Sequence, residues 1–157
     1  MIKKSLYLII FIITIVFFII NNNTNTINIK YENLKVIESR NNINIEETKK
    51  FFSDLADESN YPMVFHCSIG TDRTGYLAYL IGGLLGVPQE ELYRDYLYSN
   101  FGEIGDFRTL YNVKYYYMDP IDKYPGETLS EKVESYLLEI GVPQSDIDAI
   151  RNILLEK

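Results

Sequence analysis

Residues 64 to 75 read Val64-Phe65-His66-Cys67-Ser68-Ile69-Gly70-Thr71-Asp72-Arg73-Thr74-Gly75, and their order decides how the surrounding chain must be arranged. An extended approach over residues 63 to 66 delivers the only cysteine into a short loop. Six positions after it, an arginine opens an apolar, helix-like run over residues 76 to 85. A loop closed by a helix start can turn successive backbone N–H groups inward and make an anion-binding nest. Arg73 can add a planar, bidentate grip on two oxygens of a tetrahedral anion. The same positive field favours a thiolate at Cys67, and a thiolate is a nucleophile. Gly70 suits a positive φ and Gly75 a close backbone approach. Residues 67 to 73 therefore read as a loop that holds a tetrahedral oxyanion against sulfur.

The string resembles the signature of the cysteine-dependent protein tyrosine phosphatase superfamily: His-Cys, five residues, then Arg followed by Thr or Ser. In full, His66-Cys67-x-x-Gly70-x-Asp72-Arg73-Thr74-Gly75 is most similar to bacterial tyrosine phosphatases with dual protein and phosphoinositide activity. The Asp-Arg-Thr triplet is also found in myotubularin-type and Sac-type lipid phosphatases. Asn60-Tyr61-Pro62 before the loop and Asp95-Tyr96-x-x-Ser99-Asn100 after it fit the bacterial family, so the resemblance runs over residues 45 to 157.

That resemblance implies an α/β fold, a central and mostly parallel sheet flanked by helices, with a helix-rich C-terminal half. It implies a phosphomonoester hydrolase acting on phosphotyrosine in proteins, with a phosphoinositide as the alternative substrate. Cys67 would attack phosphorus in line and form a phosphocysteine, while Arg73 and the backbone at Ser68, Ile69, Gly70 and Thr71 hold the equatorial oxygens. His66 would orient the loop and support the thiolate. The Thr74 hydroxyl would bond the sulfur, and Gly75 would complete the supporting shell. Asp72 is the expected general acid; its alternative is a helix N-cap. Asp54 and Asp57 read better as a solvated helix face. Many relatives carry Lys where this chain has Thr71, which tilts the expected substrate toward phosphotyrosine or small phosphoesters. No metal or other cofactor is required by this chemistry. Two competing readings are a phosphate-binding remnant without turnover and another Cys-Arg enzyme, such as a rhodanese-like sulfurtransferase or an arsenate reductase. The latter group lacks the His-Cys…Asp-Arg-Thr-Gly context, and thiol-coupled arsenate reduction generally needs further cysteines.

The formal charge of −7 and pI near 4.7 argue against a nucleic-acid partner. They also leave capture of a phosphorylated substrate to the loop itself. Glu103, Asp106, Asp119 and Asp122 read as solvated charges, the tyrosines of residues 115 to 117 as packing groups, and Arg108 and Lys114 as weaker candidates for substrate contact.

Ahead of the domain, Lys3 and Lys4 precede an apolar run over residues 6 to 20, interrupted only by Thr14. Residues 1 to 20 read as a hydrophobic helix, either a signal peptide or a membrane anchor, leaving the catalytic part outside the cytoplasm. Residues 21 to 28 form an Asn/Thr-rich linker, and residues 29 to 157 a single tyrosine-phosphatase-like domain. The stretch between the hydrophobic run and Cys67 is short for this fold. The expectation is either a truncated or fused domain or one that completes its sheet with a second copy.

Hydrophobic spacing predicts strands at 33 to 38 and 62 to 66. Helices are expected at 45 to 59, 72 to 85, 88 to 98, 130 to 140 and 144 to 155. Leu-Gly-Val-Pro-Gln at 85 to 89 and Ile-Gly-Val-Pro-Gln at 140 to 144 read as one helix–turn–helix device used twice.

Overall fold

Phe51, Phe52 and Leu55 recur at helical spacing and are buried on one face of α1 (Ile45–Ala56). The computed structural model describes residues 45–155 apart from 62, 64, 66–70 and 103–106. Helix α1 ends in a short 3₁₀ turn, Glu58–Asn60, started by Asp57, whose carboxylate accepts from the Ser59 N–H at 2.9 Å. Two side chains then close the last turn of α1. Asn60 donates to the Asp54 carbonyl at 2.9 Å and Tyr61 donates to the Leu55 carbonyl at 2.8 Å. The Asn60-Tyr61 pair thus supplies partners for C-terminal carbonyls that a helix leaves orphaned.

The next helix, α2 (Arg73–Leu84), is the centre of the molecule. Tyr76, Leu77, Tyr79, Leu80, Ile81 and Leu84 are all buried, so it is apolar around most of its circumference. Such a helix must be covered on several sides. It packs against α3 (Gln89–Tyr98) and α5 (Leu129–Glu139), while α1 packs against α6 (Gln144–Leu154). Between α3 and α5 runs α4, composed of Leu110–Val113, a wide π turn at Lys114–Met118, and Asp119–Ile121. Thr109 and Asn112 start it as a reciprocal capping box, and Thr128 with Glu131 starts α5 in the same way. In the π turn, the Asp119 N–H reaches back to the Lys114 carbonyl. Pro120, which has no N–H to give, follows that widened turn.

The repeated pentapeptide is one device used twice. Gly86 and Gly141 sit at φ +77° and +94°. In each copy the glycine N–H and the following valine N–H return to the preceding helix: Gly86 to Gly83 at 3.0 Å and Val87 to Gly82 at 2.9 Å, Gly141 to Leu138 at 3.0 Å and Val142 to Leu137 at 2.9 Å. This is a Schellman ending. Val87 and Val142 are then buried, and Pro88 and Pro143 hold the extended backbone from which α3 and α6 begin.

The expected α/β architecture is corrected here. A central, mostly parallel sheet is not seen: the described residues are built from helices and turns and contain no sheet. Of the strand expected at 62 to 66, only Met63 and Phe65 are described, and neither lies in a strand. The physical reason is partnership. A strand satisfies its N–H and C=O groups only through a neighbour, and after Thr71 the described chain supplies helices, turns and irregular segments, with a single bridge residue, Leu155, and no strand. The strand expected at 33 to 38, the linker at 21 to 28 and the hydrophobic run at 6 to 20 lie outside the described residues. Among those described, no helix is long and apolar enough to cross a membrane.

The Gly86 turn gives a direct stability test. Nothing lies within 4 Å of a Cβ added there, so Gly86→Ala isolates the backbone penalty of a positive φ. Urea unfolding should show a loss of about 1 kcal/mol. An unchanged midpoint would mean that this turn does not form.

Candidate functional site

Thr71, Asp72 and Arg73 carry the chain from the loop into α2, and their positions follow from what each can bond. Arg73 is the first residue of the helix and its side chain is exposed. Asp72 precedes it with helical backbone angles, φ −79° and ψ −74°, and its exposed carboxylate makes no capping bond. The N-cap role weighed from sequence is therefore not the one it plays. Thr74 is buried, and its hydroxyl oxygen has no hydrogen-bond partner among the described residues. His66, Cys67, Ser68, Ile69 and Gly70 lie outside the described residues.

Two residues from the segment after α3 fasten this loop exit. The first is Tyr117, inside the π turn and 6% exposed. Its hydroxyl donates to the Asp72 carbonyl at 2.9 Å and lies 3.4 Å from the Thr71 carbonyl. The ring is held by Tyr96, Tyr76 and Tyr79, with centroids 5.3, 5.6 and 5.8 Å away. A Cβ at position 75 would meet the Tyr117 hydroxyl at 3.0 Å and a Tyr96 ring carbon at 3.5 Å. The close approach expected at Gly75 is thus to this tyrosine pair.

The second is Arg108, 5% exposed, whose guanidinium donates to the Thr71 hydroxyl. Its backbone is set by Asn100, which donates to the Arg108 carbonyl at 2.9 Å and accepts from the Arg108 N–H at 2.7 Å. Burying a guanidinium is costly unless it is hydrogen-bonded, so the double clamp and the Thr71 contact belong together.

The Asp95-Tyr96-x-x-Ser99-Asn100 string acquires a structural meaning from these contacts. Tyr96 packs edge-on against Tyr117, Ser99 donates to the Tyr96 carbonyl at 2.6 Å, and Asn100 fixes Arg108. Burial raises the Tyr96 hydroxyl pKa, and the Asp72 charge pushes it the same way. Asp95 is partly buried, and loss of hydration pushes its carboxyl up to about 6.

Other sequence candidates fall elsewhere. Asp57 starts the 3₁₀ turn, and the Asp54 backbone takes the Asn60 amide. Asp122 pairs with Lys132 at 2.8 Å on the surface, and Asp119 and Lys114 are exposed. Glu103 and Asp106 lie outside the described residues. Tyr115 and Tyr116 are 55% and 41% exposed, so of the three adjacent tyrosines only Tyr117 packs inward. The clamp role of Tyr117 escaped sequence reading. The capping-box pair Thr109 and Asn112 was the available signal that a helix begins there.

A sequence profile of the tyrosine phosphatase family matches residues 21–156. A tyrosine-protein phosphatase of Nostoc commune is 39% identical over 51 residues, which is 32% of this chain and 17% of that protein. A provisionally named tyrosine-protein phosphatase of Cupriavidus necator is 47% identical over 38 residues, 24% of this chain and 14% of that protein. The aligned segments thus span less than a fifth of these curated relatives. No solved structure matches.

Two outcomes follow from the geometry. Tyr117→Phe keeps the ring packing but removes the donor from the Asp72 carbonyl, and should cost about 1–2 kcal/mol in urea unfolding. An unchanged stability would show that the clamp contributes nothing. For Asp95, the folded chain holds a proton that the unfolded chain releases at 3.8, because its pKa is raised to about 6. Its contribution to stability is therefore greatest below pH 4 and is lost as pH rises toward 6. Asp95→Asn should flatten that fall in a pH series of unfolding midpoints, and an identical slope in both proteins would contradict the assignment.

Proposed function

We propose, since the chain belongs to the tyrosine phosphatase family, that it hydrolyses phosphotyrosine in proteins through a phosphocysteine intermediate. The observation that carries this is the loop exit. The Cys67-to-Arg73 string runs directly into the N-terminus of the central helix, with Arg73 at its first position and exposed. A helix start and an arginine together favour a bound phosphate dianion. In this reading the Cys67 thiolate attacks phosphorus, forming the S–P bond as the P–O bond to the tyrosine breaks. Asp72 supplies the proton to the departing phenoxide, and its exposed carboxylate, not engaged in capping, supports that role. Water then adds to phosphorus, the S–P bond breaks, and phosphate leaves with the thiolate restored. Thr74 would donate to the sulfur in that second step; its buried hydroxyl, without a partner among the described residues, supports this. Lys3 and Lys4 ahead of the apolar run support placing this chemistry outside the cytoplasm.

The test is phosphate release by the full chain from a phosphotyrosine peptide and, in parallel, a phosphoinositide. Release from the peptide should vanish in Cys67→Ser. Release that survives this change would rule out the thiolate mechanism, and release from the lipid alone would reassign the substrate. Asp72→Asn should slow esters with poor leaving groups by about 10²-fold or more, and good leaving groups far less. Equal losses on both would assign Asp72 a structural role.

A further inference from the structure

The buried arginine beside the loop has a consequence for anion binding. Arg108 is 5% exposed, comes from a segment far along the chain, and directs its guanidinium to the Thr71 hydroxyl, two residues before Arg73. Asn100 grips both backbone groups of the same residue, so the guanidinium is delivered by a fixed main chain. Thr71 itself is 7% exposed, and its hydroxyl accepts from Arg108 with little competing water. A cation in such a dry site acts on neighbouring charge far more strongly than one in solvent.

We propose that Arg108 is a second guanidinium of the anion loop, a positioning residue that fixes Thr71 and adds positive charge beside the bound phosphate. The proposal rests on reading residues 67 to 73 as the anion site. The division of labour follows from exposure. Arg73 is open to solvent and free to grip the anion oxygens, whereas Arg108 is enclosed and acts through the Thr71 hydroxyl and its field. A field of that sign also favours the Cys67 thiolate over the thiol.

The experiment uses the full chain in two backgrounds. In Cys67→Ser, tungstate affinity is measured by calorimetry, independently of turnover. Arg108→Met should weaken it at least tenfold, Arg108→Lys should restore most of the loss, and Thr71→Val should weaken it about threefold. With Cys67 intact and para-nitrophenyl phosphate as substrate, Arg108→Met should lower kcat/KM at least thirtyfold and move its acid limb up by about half a pH unit, while Arg108→Lys leaves the limb in place. A folded Arg108→Met protein that binds tungstate within twofold of its parent overturns the proposal. Should Arg108→Met not fold, Thr71→Val decides: unchanged tungstate affinity overturns the proposal and a threefold loss supports it. Arg108-dependent tungstate binding without Cys67-dependent turnover would sink the phosphatase reading but uphold this one. A folded Cys67→Ser protein that binds no tungstate would overturn both.

Discussion

The hydroxyl of Tyr117 donating to the Asp72 carbonyl is the contact around which the rest of the described chain is organised. It joins the exit of the loop to a segment more than forty residues further on, and it can form only if several conditions hold together. The helix carrying Tyr117 must widen into a π turn, the three neighbouring tyrosine rings must pack its ring in place, and residue 75 must lack a side chain. Each condition is a separate sequence feature. The bond contributes little by itself, about 1 kcal/mol of net stability; its importance lies in fixing where α2 starts and hence where Arg73 stands.

Stability and site placement come from different parts of the same helix. The C-terminal two-thirds of α2 is buried among apolar side chains, with Leu80 and Leu84 at 0% and 1% exposure. Removing a side chain such as Leu80 would cost several kcal/mol, whereas the surface pairs Lys49–Glu46 and Arg94–Glu91 contribute a few tenths. The N-terminal turn, by contrast, presents Asp72 and Arg73 to solvent. A deeply anchored helix with an exposed, positively polarised end suits an anion site, because the donors are held in place before any ligand arrives. Outside α2, the paired Gly-Val-Pro turns fold the chain back on itself, so that α3 follows α2 and α6 follows α5 through the same backbone bonds.

Several helices were legible in the sequence to within a few residues: α1 and α2, the Gly-Val-Pro turns, and the α5–α6 pair. Hydrophobic period and turn chemistry are local properties, so they can be read locally. The sheet was not. It was an expectation carried by the resemblance, and strand pairing is non-local, since each strand depends on a partner that its own residues do not specify. Helix α4 was missed because Pro120 and the run of tyrosines disguise its period, and a π turn shifts the register in the middle of it.

For the site, the sequence by itself determined the residue types at the loop, their spacing, and the helix that Arg73 opens, because all of these are fixed by neighbours within a dozen positions. Tertiary structure alone decided that Tyr117 and Arg108 meet the same loop, that Asn60 and Tyr61 close α1, and that the Asp95-to-Asn100 string supports residues 71 to 75. The physical reason is that a hydrogen bond between distant segments depends on packing that brings them together, and packing is a property of the whole chain rather than of either segment.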